Sequence, residues 1–218
     1  MAVILCLETA TTNCSVAVAI NGKIAAIREE NNLKFSHAEK LHVFISEVLA
    51  QANITKTELD AIAVSKGPGS YTGLRIGVSA AKGLCFALDV PLLSISTLEV
   101  LANQVKEDNC YIIPLLDARR MEVYSAVFDD AKKQIRPIKA EIVNKDSFEE
   151  YINEKTTVFL GDGANKFSEL CNHKNAIFLE DKYPSAAEMA LLAEDKYKKS
   201  DTEDVAYFEP FYLKEFML

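Results

Sequence analysis

The sequence predicts an α/β chain made of two related units, each opening with strands and then alternating strand and helix. Three observations carry this. The chain begins with three strand-like stretches joined by short turns, the first of them apolar enough to be central. Apolar strands then alternate with helical patterns up to about Val105. After the polar segment Lys106-Glu107-Asp108-Asn109 the same order starts again. The expected division is therefore 1–105 and 106–218, two units facing one another. No close sequence repeat is visible, so the duplication is inferred from element order alone.

The elements follow from local chemistry. Val3 to Thr9 reads as a buried strand, turning at Thr11-Thr12-Asn13 into Ser15 to Ile20. Asn21-Gly22 is a hairpin signal, because both residues tolerate positive φ, and Lys23 to Arg28 follows. Ser36 with Glu39 three residues later forms a capping box, and the helix behind it carries Leu41, Phe44, Ile45, Val48, Leu49 and Ala52 on one face. Ala61 to Ser65 is a short strand, and the turn Lys66 to Gly73 feeds a long apolar helix ending near Leu88. Leu92 to Ile95 is a strand, and Ser96 or Thr97 caps a helix through Val105. In the second half Tyr111 to Leu116, Glu122 to Phe128, Ile135 to Val143 and Thr157 to Leu160 read as strands. A helix is expected around Ser147 to Asn153, and Ser185 caps a final one through about Lys199.

Composition narrows the function. Among 218 residues, 24 are basic and 32 acidic, giving a net charge of −8. A chain that grips a nucleic-acid backbone by itself usually carries a basic stripe. The longest basic clusters here are pairs such as Arg119-Arg120 and Lys198-Lys199. Any RNA contact is therefore expected to be indirect, with a partner holding most of the RNA. No apolar run reaches the ~20 residues that span a bilayer, and the opening residues read as strands rather than a signal peptide. Cys6, Cys14, Cys85, Cys110 and Cys171 are dispersed, which suits reduced thiols in the cytoplasm rather than a zinc site.

Glycine placement is the most specific feature. Five of the eight glycines lie between Gly67 and Gly83, in GPGSYTGLRIGVSAAKGL. Gly67, Gly69 and Ser70 lead into a helix whose free first-turn N–H groups suit an anion, although a purely structural strand-to-helix turn has the same composition. At about 100° per residue, Leu74, Val78, Ala81, Cys85 and Leu88 form one apolar stripe. Gly73, Gly77, Ala80, Leu84 and Ala87 form a second, mostly of small residues. A helix apolar over more than half its circumference is usually packed on two sides. Periodicity does not reveal which stripe faces the chain's own sheet.

These stretches carry a family resemblance. The run Gly67 to Leu84 resembles the signature loop of the TsaB proteins, also called YeaZ, and more loosely that of their catalytic paralogue TsaD. Ile4 to Val18 resembles the family's first hairpin, and Leu115 to Phe128 its second-domain hairpin. Phe208 to Phe216 resembles its closing tail, with Lys214 where arginine is common. The resemblance implies the sugar-kinase/actin fold of two ribonuclease-H-like domains. It also implies a non-catalytic scaffold and activator in tRNA threonylcarbamoyladenosine modification, bound to TsaD and, with it, to the ATPase TsaE. A homodimer is expected when TsaD is absent. The first two helices would form the partner surface, through Leu41, Ile45, Gly73, Ile76, Gly77, Ala80, Gly83, Leu84 and Ala87.

Departures from the paralogue bear on catalysis. TsaD enzymes carry a metal site built partly on two histidines one helical turn apart. Here His37 and His42 are five apart, about 140° around a helix, and share no ligand face. Glu8 and Asp117 end the first strand of each half, where kinases of this fold place carboxylates near phosphates or metal. Gly161-Asp162-Gly163 stands where the fold's adenosine contact would lie. With Gly67, Gly69 and Ser70, these residues are a working nucleotide cleft or its remnant, and the resemblance implies the remnant, with no bound cofactor or metal. The competing expectation is an independent ATP-dependent transferase or metallopeptidase of the same fold.

Overall fold

The computed structural model describes residues 2–31 and 37–214. The proposed cap Ser36 lies outside the described residues, as do Glu215 and Phe216 of the tail. In the first half, β1 (Val3–Glu8), β2 (Asn13–Ile20) and β3 (Lys23–Asn31) precede α1 (His37–Ala52), β4 (Ala61–Gly67), α2 (Tyr71–Leu88) and β5 (Leu92–Ser96). Then come α3 (Thr97–Ala102), β6 (Tyr111–Asp117), β7 (Glu122–Phe128), β8 (Gln134–Ile142) and α4 (Glu149–Glu154). The chain closes with β9 (Thr157–Leu160), α5 (Ala164–Ser168), β10 (Ala176–Leu179) and α6 (Ala186–Lys198).

The two sheets have one topology. The first runs β3-β2-β1-β4-β5 and the second β8-β7-β6-β9-β10. In each, two antiparallel hairpins are followed by one parallel strand beside the central strand and a second parallel strand beside that one. The repeat that the residues conceal is thus explicit in strand order and direction.

The compact units differ from the expected halves at both ends. One takes the chain up to Thr97 and resumes at Pro184–Tyr212; the other holds Leu98–Tyr183 and the described residues after Tyr212. The boundary lies upstream of Lys106 because Leu98, Leu101 and Ala102 of α3 insert into the core of the second unit, beside Ile112, Leu116 and Val158. The final helix changes sides for a similar reason. α6 packs across β1, β2 and β5. Its start is tied down by Asn13, whose Nδ2 donates to the Pro184 carbonyl at 2.9 Å, and by Ser15, whose Oγ accepts from the Ala186 N–H at 3.0 Å.

Every residue of β1 is buried because the first sheet is covered on both faces. Leu5 and Leu7 meet Leu41, Phe44 and Val48 of α1 and Val78, Ala81 and Cys85 of α2 in one apolar cluster. By the pleat, Ile4, Cys6 and Glu8 point to the opposite face, the side on which α6 packs. In the second unit the core on one face is aromatic: Phe148, Phe159, Phe167 and Phe178 meet with centroids 5.0–5.9 Å apart.

Candidate functional site

The glycine-rich turn is built against the end of β1. The Ser70 N–H donates to the Ala10 carbonyl at 2.7 Å, and Ser70 Oγ caps α2 by accepting from the Gly73 N–H at 3.3 Å. A Cβ on Gly69 would stand 2.4 Å from the Ala10 carbonyl oxygen. Gly67 carries φ +109°, with the Phe211 N–H donating to the neighbouring Lys66 carbonyl at 2.7 Å. The donors of Ser70 and Gly73 are thus engaged within the chain, and the turn serves as a close-packed joint between strand and helix.

The orientation of α2 is now fixed. Leu74, Val78, Ala81 and Cys85 are buried against the sheet, Ala81 at 0% exposure. Ile76, Ala80 and Leu84 are half-buried, while Gly83 and Ala87 are exposed. Ile76, Ser79, Ala80, Gly83 and Leu84 line a depression of about 350 Å³, closed on the α1 side by His42. Four residues expected at the partner surface are interior instead. Leu41 and Ile45 belong to the core, and Gly73 and Gly77 lie against Thr9. Their smallness serves this chain's own packing: a Cβ on Gly73 would stand 2.1 Å from the Thr9 carbonyl oxygen. Gly83 is the opposite case, since a Cβ there would meet nothing within 4 Å among the described residues.

Two neighbouring residues escaped the sequence reading. Val43 of α1 is half exposed and Phe86 of α2 is 86% exposed. At about 100° per residue Phe86 falls on the same side of α2 as the polar Arg75, Ser79 and Lys82, outside both apolar stripes.

Glu8 is fully buried at the end of β1. Its Oε1 accepts from the Ala10 N–H at 2.7 Å and from Ser65 Oγ at 2.8 Å, while Oε2 has no hydrogen-bond partner among the described residues. Burial pushes this carboxyl up to about 7, against the lowering effect of those two bonds, and the carboxylate of Glu188 adds to the rise. His37 is also buried but in a different role: Nε2 donates to the Thr11 carbonyl at 2.6 Å, and burial holds its pKa below the ordinary histidine value. His42 is on the surface and His173 accepts the Asn175 N–H in a turn, so the three histidines stand apart.

The second unit's candidate residues do come together. Asp117 ends β6 as Glu8 ends β1. Asp162 Oδ1 accepts from the Asp117 N–H at 2.9 Å. Gly161, at φ +103°, and Gly163 let this loop press onto β6, where the Gly163 N–H donates to the Leu115 carbonyl at 2.9 Å. Lys166 Nζ lies 2.8 Å from Asp117 Oδ1 and donates to the Glu122 carbonyl at 2.9 Å. An ammonium group therefore already sits on the strand-end carboxylate. Burial raises the pKa of Asp162.

Two units of one topology, each ending its central strand in a carboxylate, give the sugar-kinase/actin type of fold with two ribonuclease-H-like domains. The family model for TsaD, tRNA N6-adenosine threonylcarbamoyltransferase, matches residues 32–216. The tRNA threonylcarbamoyladenosine biosynthesis protein TsaB of Haemophilus influenzae is 32% identical over 97% of this chain and 93% of its own. That of Escherichia coli is 28% identical over 97% and 94%. A solved Pseudomonas aeruginosa structure, described as similar to peptidase YEAZ, superposes with a TM-score of 0.85 at 25% identity, covering 98% of this chain and all of that one. The chain belongs to the TsaB (YeaZ) family.

Proposed function

We propose that this chain is a non-catalytic docking subunit in tRNA threonylcarbamoyladenosine biosynthesis, acting in the cytoplasm. It binds TsaD through the outward stripe of α2, TsaE joins that pair, and the chain pairs with itself when TsaD is absent. The observation that carries the reading is the uncovered stripe Ile76–Ala80–Gly83–Leu84–Ala87, which flanks the depression beneath His42. Small residues there let a partner helix approach closely, and the apolar area gains from leaving water. The absence of catalysis is supported by the strand-end carboxylates. Glu8 is buried with Ser65, and Asp117 is paired with Lys166.

The test is a transfer assay. The chain with tRNA and the threonylcarbamoyl adenylate should give no modified tRNA, whereas adding it to TsaD and TsaE should raise their rate. Robust modification by the chain alone would refute the scaffold reading.

A further inference from the structure

The hairpin joining β6 to β7 carries a basic pair that the docking surface does not use, and the second unit has another at Lys132-Lys133. Arg119 and Arg120 are consecutive residues at φ +71° and +49°, both exposed. That left-handed region is ordinarily left to Gly, Asn or Asp, and bulky side chains there are under backbone strain. The turn is held by its own backbone: Ala118 N–H donates to the Glu122 carbonyl at 3.0 Å and Glu122 N–H to the Arg119 carbonyl at 3.1 Å. Nothing in that scheme calls for arginine.

The electrostatics of the tip point outward. The acidic neighbours that would neutralise the guanidinium groups are already taken. Asp117 Oδ1 accepts from the Arg119 backbone N–H at 2.5 Å and pairs with Lys166 Nζ at 2.8 Å. Glu122 Oε2 pairs with Lys214 Nζ. Asp162 is turned to the Asp117 N–H, and burial favours its neutral form. Neither guanidinium has a hydrogen-bond or ion-pair partner among the described residues. On a chain of net charge −8, this leaves a small cationic point at the tip of a paired hairpin, with planar donors suited to phosphate oxygens.

We propose that the Arg119–Arg120 tip contacts phosphodiester groups of RNA held by the assembled complex. This rests on the role in tRNA modification given above and adds a direct contact to it. Two phosphate contacts are too few to retain RNA alone at physiological salt, consistent with the chain's acidic balance, but they measurably add to an affinity supplied mainly by a partner and leave weak binding by the free chain at low salt.

The test compares Arg119→Asn/Arg120→Gly with Arg119→Lys/Arg120→Lys in the chain assembled with TsaD, using labelled tRNA across a salt series. The Asn/Gly pair suits the turn, so its melting temperature should not fall. Its RNA affinity should drop roughly five- to tenfold at low salt, with a salt dependence shallower by about one to two phosphate contacts. The Lys pair should recover most of the affinity, since the contact is chiefly one of charge. Unchanged affinity and slope in the Asn/Gly pair would overturn the proposal, as would equal loss in the Lys pair. Weakened protein assembly with RNA binding intact would make the tip a protein contact and overturn it too. Displacement of RNA by inorganic triphosphate, at concentrations too low to act through ionic strength, would assign the tip to a small phosphate ligand instead. An assembly that fails to form sinks the docking reading alone, because the same comparison on the free chain at low salt still reads the hairpin.

Discussion

Thr9 Oγ1 donates to the Gly73 carbonyl of α2 at 2.8 Å, and the same oxygen would stand only 2.2 Å from a Cβ on Gly77. The second helix is thereby seated on the end of the first strand, and the glycines of its first two turns are required by this seating. Gly77→Ala should therefore destabilise the chain despite alanine's better helix propensity, by about 2 kcal/mol as overpacking of a close contact. Thr9→Ala removes the clashing oxygen, so the double variant should be less destabilised than the two single effects combined. Denaturant titration of all four proteins measures this. Simple additivity would show that Thr9 is not what excludes a side chain at Gly77.

Gly83 has no such internal reason. A glycine in an exposed helix interior costs roughly 0.5–1 kcal/mol relative to alanine, and a Cβ at Gly83 would meet nothing within 4 Å among the described residues. Gly83→Ala should raise the stability of the free chain while weakening its association with TsaD or with itself. Thermal melts and sedimentation read the two effects separately. If stability and association both rise, no partner backbone comes close at this position.

Glu8 gives a pH dependence with a definite sign. Its carboxyl is raised from 4.5 to about 7 by burial, so between those values the folded chain holds a proton that the unfolded chain has released. Its contribution to stability therefore falls as pH rises from about 4.5 to 7 and is level above. Over that interval the linkage amounts to roughly 3 kcal/mol at most. Glu8→Gln keeps an acceptor for Ala10 and Ser65 and carries no charge. The variant should match the native chain near pH 5 and exceed it in melting temperature at pH 8. A difference independent of pH would mean that Glu8 ionises freely in the folded state.

Much of this was legible in the residues because it is local. The Asn21-Gly22 hairpin, the Ser185 cap, which accepts from the Ala187 N–H at 3.2 Å, and the two stripes of α2 all declare themselves within a few positions. What was missed depends on distant partners or very short segments. β10 is four residues, Ala176–Leu179, and is a strand because β9 offers it a parallel edge and Phe178 stacks on Phe159 at 5.0 Å. α5, at five residues, carries too little pattern to be read. β3 runs on through Glu29, Glu30 and Asn31 because backbone pairing with β2 holds polar side chains in place. The periodicity of α6 showed a face but not that its target was the first sheet.

At the candidate site, periodicity gave the two stripes of α2 but could not orient them. Ala80 and Ala81 are adjacent, and only the full burial of Ala81 in the core cluster that holds Leu5 and Val64 separates them. Glycine content was equally ambiguous. Gly73 and Gly77 answer to Thr9, whereas Gly83 answers to nothing among the described residues.

Ala81→Arg should bury an unpaired charge in a closed core, at a cost of several kcal/mol. The expected result is insoluble or strongly destabilised protein. A soluble Ala81→Arg chain with a native melting temperature would show that α2 does not pack by this face.

The central claim, that the outward stripe of α2 is the docking surface, is tested most directly by sedimentation of Ala80→Arg with TsaD. Ala80 is half-buried at the rim of the depression, so the arginine has water to reach and the fold should survive. The prediction is a chain with a near-native melting temperature that sediments apart from TsaD and as a monomer by itself, where the unsubstituted chain forms a complex. An Ala80→Arg chain that is folded and still sediments with TsaD at undiminished affinity would contradict the account.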